Sequence, residues 1–121
     1  MEKVMNVAEP LVQTGLIGEA LDHGPVLVVV IDEDMRYVAV NQFAADVLGY
    51  TRAELLSKRM TEIACGSDTA DIFADFVAQR QRHGTAEILR KDGTPLRMAY
   101  RASETRVAGM TLYVSVGWIV G

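Results

Sequence analysis

NQFAADVLGYTRAELL, residues 41–56, decides how this chain folds. Asn41 follows an apolar, strand-like run and carries the side-chain oxygen that caps a short helix. Phe43, Ala44, Val47 and Leu48 then place apolar residues at helical spacing. Gly49 can take the left-handed conformation that closes a helix. Thr51 and Glu54 have the spacing of a capping box and open a second short helix. A strand, two short helices and a tight glycine joint follow one another within one short segment, and few folds need that.

Upstream, residues 26–32 form a β-branched run that is apolar on both faces, and residues 37–40 return as a second strand. Asp32, Glu33 and Asp34 make the turn between them, an acidic turn rather than a cation site. Residues 1–23 form an N-terminal helical cap, set apart from the domain at 24–121. Val4, Val7, Leu11, Leu16, Ile17, Ala20 and Leu21 give the cap helical spacing, and Pro10, Gly15 and Gly18 break it into pieces. Downstream, a further helical turn is expected over residues 60–64. A longer helix opens at Gly66, Ser67 and Asp68, with Asp68 and Asp71 in its first turn. Ile72, Phe73, Phe76 and Val77 form its buried stripe; Arg80, Arg82 and His83 lie in its last turn, and Gly84 closes it. His83 would then meet the last helix carbonyls, and His23 is a turn residue. Strands are expected over 85–90, 95–104 and 110–120, with turns at Asp92-Gly93 and Ala108-Gly109. Two strands, then helices, then three strands predict an α+β domain: an antiparallel sheet with helices on one face.

Composition narrows the function classes. At 121 residues, one domain is expected, with a core of its own. The net charge of −4 and the absence of a basic tract disfavour nucleic acid as a partner. The longest apolar run, residues 26–31, is far short of the roughly 20 residues of a membrane span, so no membrane partner is expected. Cys65 is the only cysteine, which fits a reducing cytoplasm and a small structural thiol. The chain ends directly after a strand-like run and reads as an excised module.

The segment at 41–56, together with RKDGT at residues 90–94, resembles the signature of the PAS family of sensory domains. The resemblance covers roughly residues 16–120. It implies a five-stranded antiparallel sheet whose first strand is central, between the second and the fifth, with short helices on one face. It also implies an interior between helices and sheet that is either a filled core or a ligand cavity. Aligned this way, Tyr113, Ser115 and Gly117 face the interior, and Leu112, Val114, Val116, Trp118 and Val120 face outward by strand alternation. So apolar a face does not stay in water. A homodimer is expected through Leu112, Val114, Val116 and Trp118, with Leu16 and Leu21 of the cap. Cover by the cap alone is the other reading.

The cofactor branches of the family can be tested residue by residue. The flavin-binding light-oxygen-voltage branch has a cysteine where this chain has Met60, and polar side chains where it has Ile88, Met98 and Gly117. A thioether cannot form the flavin adduct, and these replacements cannot read an isoalloxazine edge. Haem-binding members place a histidine near the position of Phe73. Flavin and haem are therefore disfavoured, and no cofactor is expected. The remaining interior is Val29, Ile31, Leu48, Met60, Phe73, Val77, Met98, Tyr100, Tyr113, Ser115 and Gly117. This set is either a filled core or a pocket for a small apolar ligand, with Gly117 leaving room.

No Ser-His-Asp set, Cys/His metal spacing or phosphate-binding glycine loop is present. A ketosteroid-isomerase-like enzyme would need an acid beside Tyr100 or Tyr113, and none can be named from the sequence. The expected function is a cytoplasmic sensory module, a homodimer regulating an output domain such as a kinase, cyclase or transcription regulator outside this chain. The alternative is a ligand-free dimerisation module. Where many family members end the last strand in Asp-Ile/Val-Thr, this chain has Ile119, Val120 and Gly121, and the type of output cannot be read.

Overall fold

The computed structural model describes residues 10–64 and 69–120. In chain order it contains α1 (Pro10–Asp22), β1 (Leu27–Ile31), β2 (Tyr37–Val40), α2 (Gln42–Leu48), α3 (Arg52–Leu56), a 3₁₀ turn (Met60–Glu62), α4 (Thr69–Gln79), β3 (Gln81–Leu89), β4 (Pro95–Val107) and β5 (Met110–Ile119). The strands form one antiparallel sheet in the order β2-β1-β5-β4-β3. β1 is central, as the resemblance implies, and the fold is α+β.

The segment at 41–56 folds as its chemistry dictates. Asn41 caps α2 by accepting from the Ala44 N–H at 3.0 Å. The same oxygen accepts from Val28 N–H, and the amide nitrogen donates to the carbonyls of Leu21 and Val26. One buried side chain thus joins the end of α1, the approach to β1 and the start of α2. Gly49 ends α2 at φ 81°, where an L side chain would be strained. Thr51 and Glu54 form the expected capping box of α3.

Lys91 brings the two motif segments together. Its N–H donates to Leu48 O, and its Nζ lies 2.7 Å from Glu54 Oε2. The Asp92-Gly93 turn is present, with Gly93 at φ 88° and Asp92 accepting from Thr94. At the next hairpin both Ala108 and Gly109 have positive φ, the requirement of a two-residue type I′ turn. The acidic turn after β1 is also structural: Asp32 Oδ1 accepts from the backbone N–H groups of Asp34 and Arg36.

Two expectations are corrected. The long helix does not run to Gly84. Arg80 takes the left-handed conformation at φ 64°, its N–H bonds Phe76 O at 2.7 Å, and β3 begins at Gln81. Arg82, His83 and Gly84 are therefore strand residues, and His83 pairs with Arg101 instead of meeting helix carbonyls. The reason is a change of period: Arg82, Gly84, Ala86 and Ile88 alternate inward on a strand, and β4 offers partners along that whole length. The cap is the second correction. Gly15 and Gly18 do not break α1, which runs continuously from Pro10 to Asp22; the expected break at Pro10 involves residues outside the described ones. Its C-terminal end is fixed by Asp22, which accepts from Gln42 N–H and from Arg52. These partners, the Gln42 N–H first, hold the Asp22 carboxyl below its ordinary range. The expected opening of the long helix at 66–68, the Cys65 thiol, residues 1–9 of the cap and Gly121 lie outside the described residues.

Replacing Asn41 by Ala removes four hydrogen bonds to part-buried or buried backbone groups, the α2 cap among them. Chemical denaturation should read a loss of about 3 kcal/mol, with no change in far-UV spectrum below the transition.

Lys91 and the Thr51 N–H hold the Glu54 carboxyl at about 2, below its usual 4.5. A depressed carboxylate stabilises the fold above its unfolded value, and that contribution is lost as pH falls through the folded one. Between about pH 4.5 and 2 the wild type should therefore lose stability faster than Lys91→Met. NMR titration of Glu54 should show its midpoint moving upward in that variant.

Candidate functional site

The helices and the inner sheet face enclose a cavity of about 330 Å³. Its floor is the inward side of the sheet: Leu27, Val29 and Ile31 from β1, Tyr113 and Ser115 from β5, Met98, Tyr100 and Ala102 from β4, and Ala86 and Ile88 from β3. Its roof is Leu48 of α2, Met60 of the 3₁₀ turn, Ile63 and Ala64 after it, and Ile72, Phe73 and Phe76 of α4. Aromatic edges clamp roof to floor. Tyr113 meets Phe73 at 5.3 Å and Phe76 at 5.0 Å between ring centroids, both near perpendicular.

The structure brings together most of the residues named from the sequence. Val29, Ile31, Leu48, Met60, Phe73, Met98, Tyr100, Tyr113 and Ser115 all line the cavity. Val77 does not: it lies on the outward flank of α4 and is 39% exposed. Gly117 does not line it either, and it leaves no empty room. The Met98 methyl occupies the space, 2.7 Å from where a Cβ on Gly117 would stand. A side chain at this position would have to displace the Met98 methyl, and it would also crowd the Ala99 carbonyl oxygen at 3.1 Å.

Sequence reasoning missed Arg82. It lines the cavity, donates from Nε to the Tyr100 hydroxyl at 3.0 Å, and pairs through Nη1 with Asp75 at 2.9 Å. Reading residues 80–84 as the end of a helix hid it; the period-two pattern from Arg82 to Ile88 was the available signal. The tyrosines also have acidic neighbours that the sequence did not reveal. Glu104 lies beside Tyr113, and burial first, then the charges of Glu104 and Glu33, push its phenol up. Glu104 is ion-paired with Arg80 at 3.8 Å and does not line the cavity. Burial likewise pushes the Tyr37 phenol up.

The outer sheet face follows the expected parity. Trp118 pairs with Ala99 and is 41% exposed; Val114 and Val116 lie opposite Ser103 and Arg101 and are half-buried, as is Leu112. α1 buries none of its residues, and Leu16, Ile17 and Leu21 are exposed on it. Among the described residues, no group of three or more His, Cys, Asp or Glu is placed to hold a metal ion. No helix among them is long and apolar enough to cross a membrane.

Solved structures share this architecture. The PAS domain of an HTR-like protein from Haloarcula marismortui superposes with a TM-score of 0.79 at 18% identity, over 89% of this chain and 92% of that one. A PAS domain from a two-component sensor histidine kinase gives 0.80 at 10% identity, over 93% and 100%. A light-oxygen-voltage domain studied with a flavin analogue gives 0.70 at 15% identity, over 95% and 87%. No curated protein matches by sequence. At these identities the likeness is one of fold. The sequence itself decides membership: the PAS domain profile matches residues 25–116, and the chain belongs to the PAS domain family of sensory and signalling modules.

Proposed function

We propose that this PAS domain is a cytoplasmic sensor that takes a small, largely apolar ligand into its inner cavity and dimerises through its outer sheet face. The state of the cavity is passed to an output domain, such as a kinase, cyclase or transcription regulator, outside this chain. The observation that carries the reading is the cavity itself, about 330 Å³ with a mostly apolar lining and a few hydroxyls. At the packing density of protein interiors it suits a molecule of on the order of a dozen non-hydrogen atoms. A flavin nucleotide or a haem is much larger. Met60, Ile88 and Met98 line the space where flavin contacts would be needed, and Phe73 stands where a haem ligand would be. The ligand-free alternative draws support from Met98, which already fills the space over Gly117.

The outer face supports the dimer. Leu112, Val114, Val116 and Trp118 form an apolar strip continued by Val28 and Val30 of β1, and α1 presents Leu16 and Leu21. Burying such a strip contributes about 25 cal/mol per Å², which must exceed the entropy lost on association. A two-fold pairing uses the same strip on both subunits. Packing changes at the cavity floor reach this face directly, because inward and outward residues alternate on the same strands.

The purified protein should be colourless, and native mass spectrometry should find a small molecule retained by the folded chain. A stoichiometric visible absorbance band would overturn the cofactor reading. An unliganded mass that no small-molecule library shifts would favour the ligand-free alternative.

Val116→Glu should place a charge in the middle of the strip, where even with Arg101 opposite it a carboxylate resists burial against a second subunit. Light scattering should show a folded monomer for the variant and a dimer for the wild type at micromolar concentration. A monomeric wild type would remove the dimer from the reading.

A further inference from the structure

We infer that the cavity is built for a small apolar molecule carrying a single carboxylate, held by Arg82 with Tyr100 and Ser115. The inference rests on the ligand-binding reading above and deepens it. Its basis is a set of hydrogen-bond donors that converge on one spot of an otherwise apolar floor.

Arg82, Ala102, Ser115 and Val29 form one row across the inner sheet face, each paired with the next. Arg82 and Ser115 are therefore two interstrand spacings apart, roughly 10 Å. Only the methyl of Ala102 stands between them. Tyr100 comes from the adjacent row, between Gly84 and Gly117, so neither neighbour crowds its ring on the sheet. A planar group lying over Ala102 is within reach of all three side chains.

The three have donors to spare. A guanidinium carries five N–H groups. Arg82 uses one on Tyr100 and one on Asp75, and the others make no hydrogen bond among the described residues. The Tyr100 oxygen accepts from Arg82, which leaves its own proton to donate. The Ser115 hydroxyl, half-buried, makes no hydrogen bond among the described residues. Surplus donors with one positive charge fit a singly charged acceptor. A carboxylate meets a guanidinium in a planar two-point geometry, which favours it over an alcohol or amide of the same shape. A doubly charged phosphate would need a second cation, and among the described residues Arg82 is the only basic one lining the cavity. Glu87 also borders it, but alternation on β3 turns its side chain toward Arg97 on the outer face.

Asp75 is the resident acceptor and the natural competitor. Its side chain is 49% exposed, and it also accepts from Gln79 at 3.0 Å. A half-exposed ion pair contributes little, and Asp75 keeps water and Gln79 when it gives up Arg82. A ligand carboxylate inside the cavity has no such alternative. Entry of the ligand therefore puts a second carboxylate on Arg82 in competition with Asp75 and loosens the tie between α4 and β3 at that point.

The test compares 3-phenylpropionate with 3-phenylpropan-1-ol, followed by amide chemical shifts of the full chain and by calorimetry. The acid should bind at least about tenfold more tightly than the alcohol, with shifts centred on Arg82, Ala102 and Ser115. Arg82→Gln should abolish that preference, weakening the acid at least about tenfold more than the alcohol. Asp75→Asn removes the competitor from an exposed position, so it should tighten binding of the acid several-fold and leave the alcohol unaffected. This second variant decides the matter if Arg82→Gln fails to fold. Equal binding of acid and alcohol, unmoved by either variant, would overturn the carboxylate assignment and leave the cavity reading standing. Failure of both probes to shift any cavity residue would overturn both.

Discussion

The fold depends on the primary amide of Asn41. A carboxylate or an alkyl group of similar size could not replace it, because the side chain must accept on one atom and donate on the other. Its oxygen serves Ala44 and Val28, and its nitrogen serves Leu21 and Val26. Each partner is a backbone group that regular structure leaves unpaired: a helix start, a strand approach, a helix end. Satisfying them with one buried residue lets a helix, a central strand and a second helix meet without water. Lys91 does related work at the other end of α2, joining Leu48 and Glu54 to the β3–β4 turn. The two motif segments, far apart in sequence, are thus parts of one contact region.

Above that frame the interior is set by size as much as by polarity. Met98 lies diagonal to Gly117 across neighbouring strands, and the methionine fills what the glycine omits. The cavity floor runs from β1 to β3, and on its β3 side Ala86 and Ala102 contribute little bulk beside Arg82 and Tyr100. The aromatic trio of Phe73, Phe76 and Tyr113 joins roof to floor.

Much of this was legible in the sequence, and the failures have physical causes. The caps at Asn41 and Thr51, the joint at Gly49 and the turn at Asp92-Gly93 follow from local chemistry, and each formed as read. Strand parity on β5 followed once Tyr113 was placed, since alternation leaves no freedom. The end of α4 was not legible. Arg80 carries the left-handed conformation usually left to glycine, and Gly84 lay a few residues on as a more ordinary stop. The error moved Arg82 off the sheet and hid the polar corner of the cavity. The role of Gly117 was missed because an absent side chain implies room only when no neighbour reaches into it. The continuity of α1 through Gly15 and Gly18 was missed because glycine lowers helix propensity without forbidding a helix.

The strand order carries a constraint on how the molecule is made. The central strand β1 is the first to be synthesised, and one of its two neighbours, β5, is the last. β3, β4 and β5 can zip together as consecutive hairpins, each closing a short loop. β1 must instead wait for a partner at the far end of the chain, and closing that long loop carries a larger entropic cost. Until β5 emerges, the apolar run of β1 has only β2 beside it, and its other edge is open. A nascent chain of this topology leaves that apolar edge open until β5 has been made. The short, capped helices α2 and α3 follow β1 directly and can shelter it in that interval.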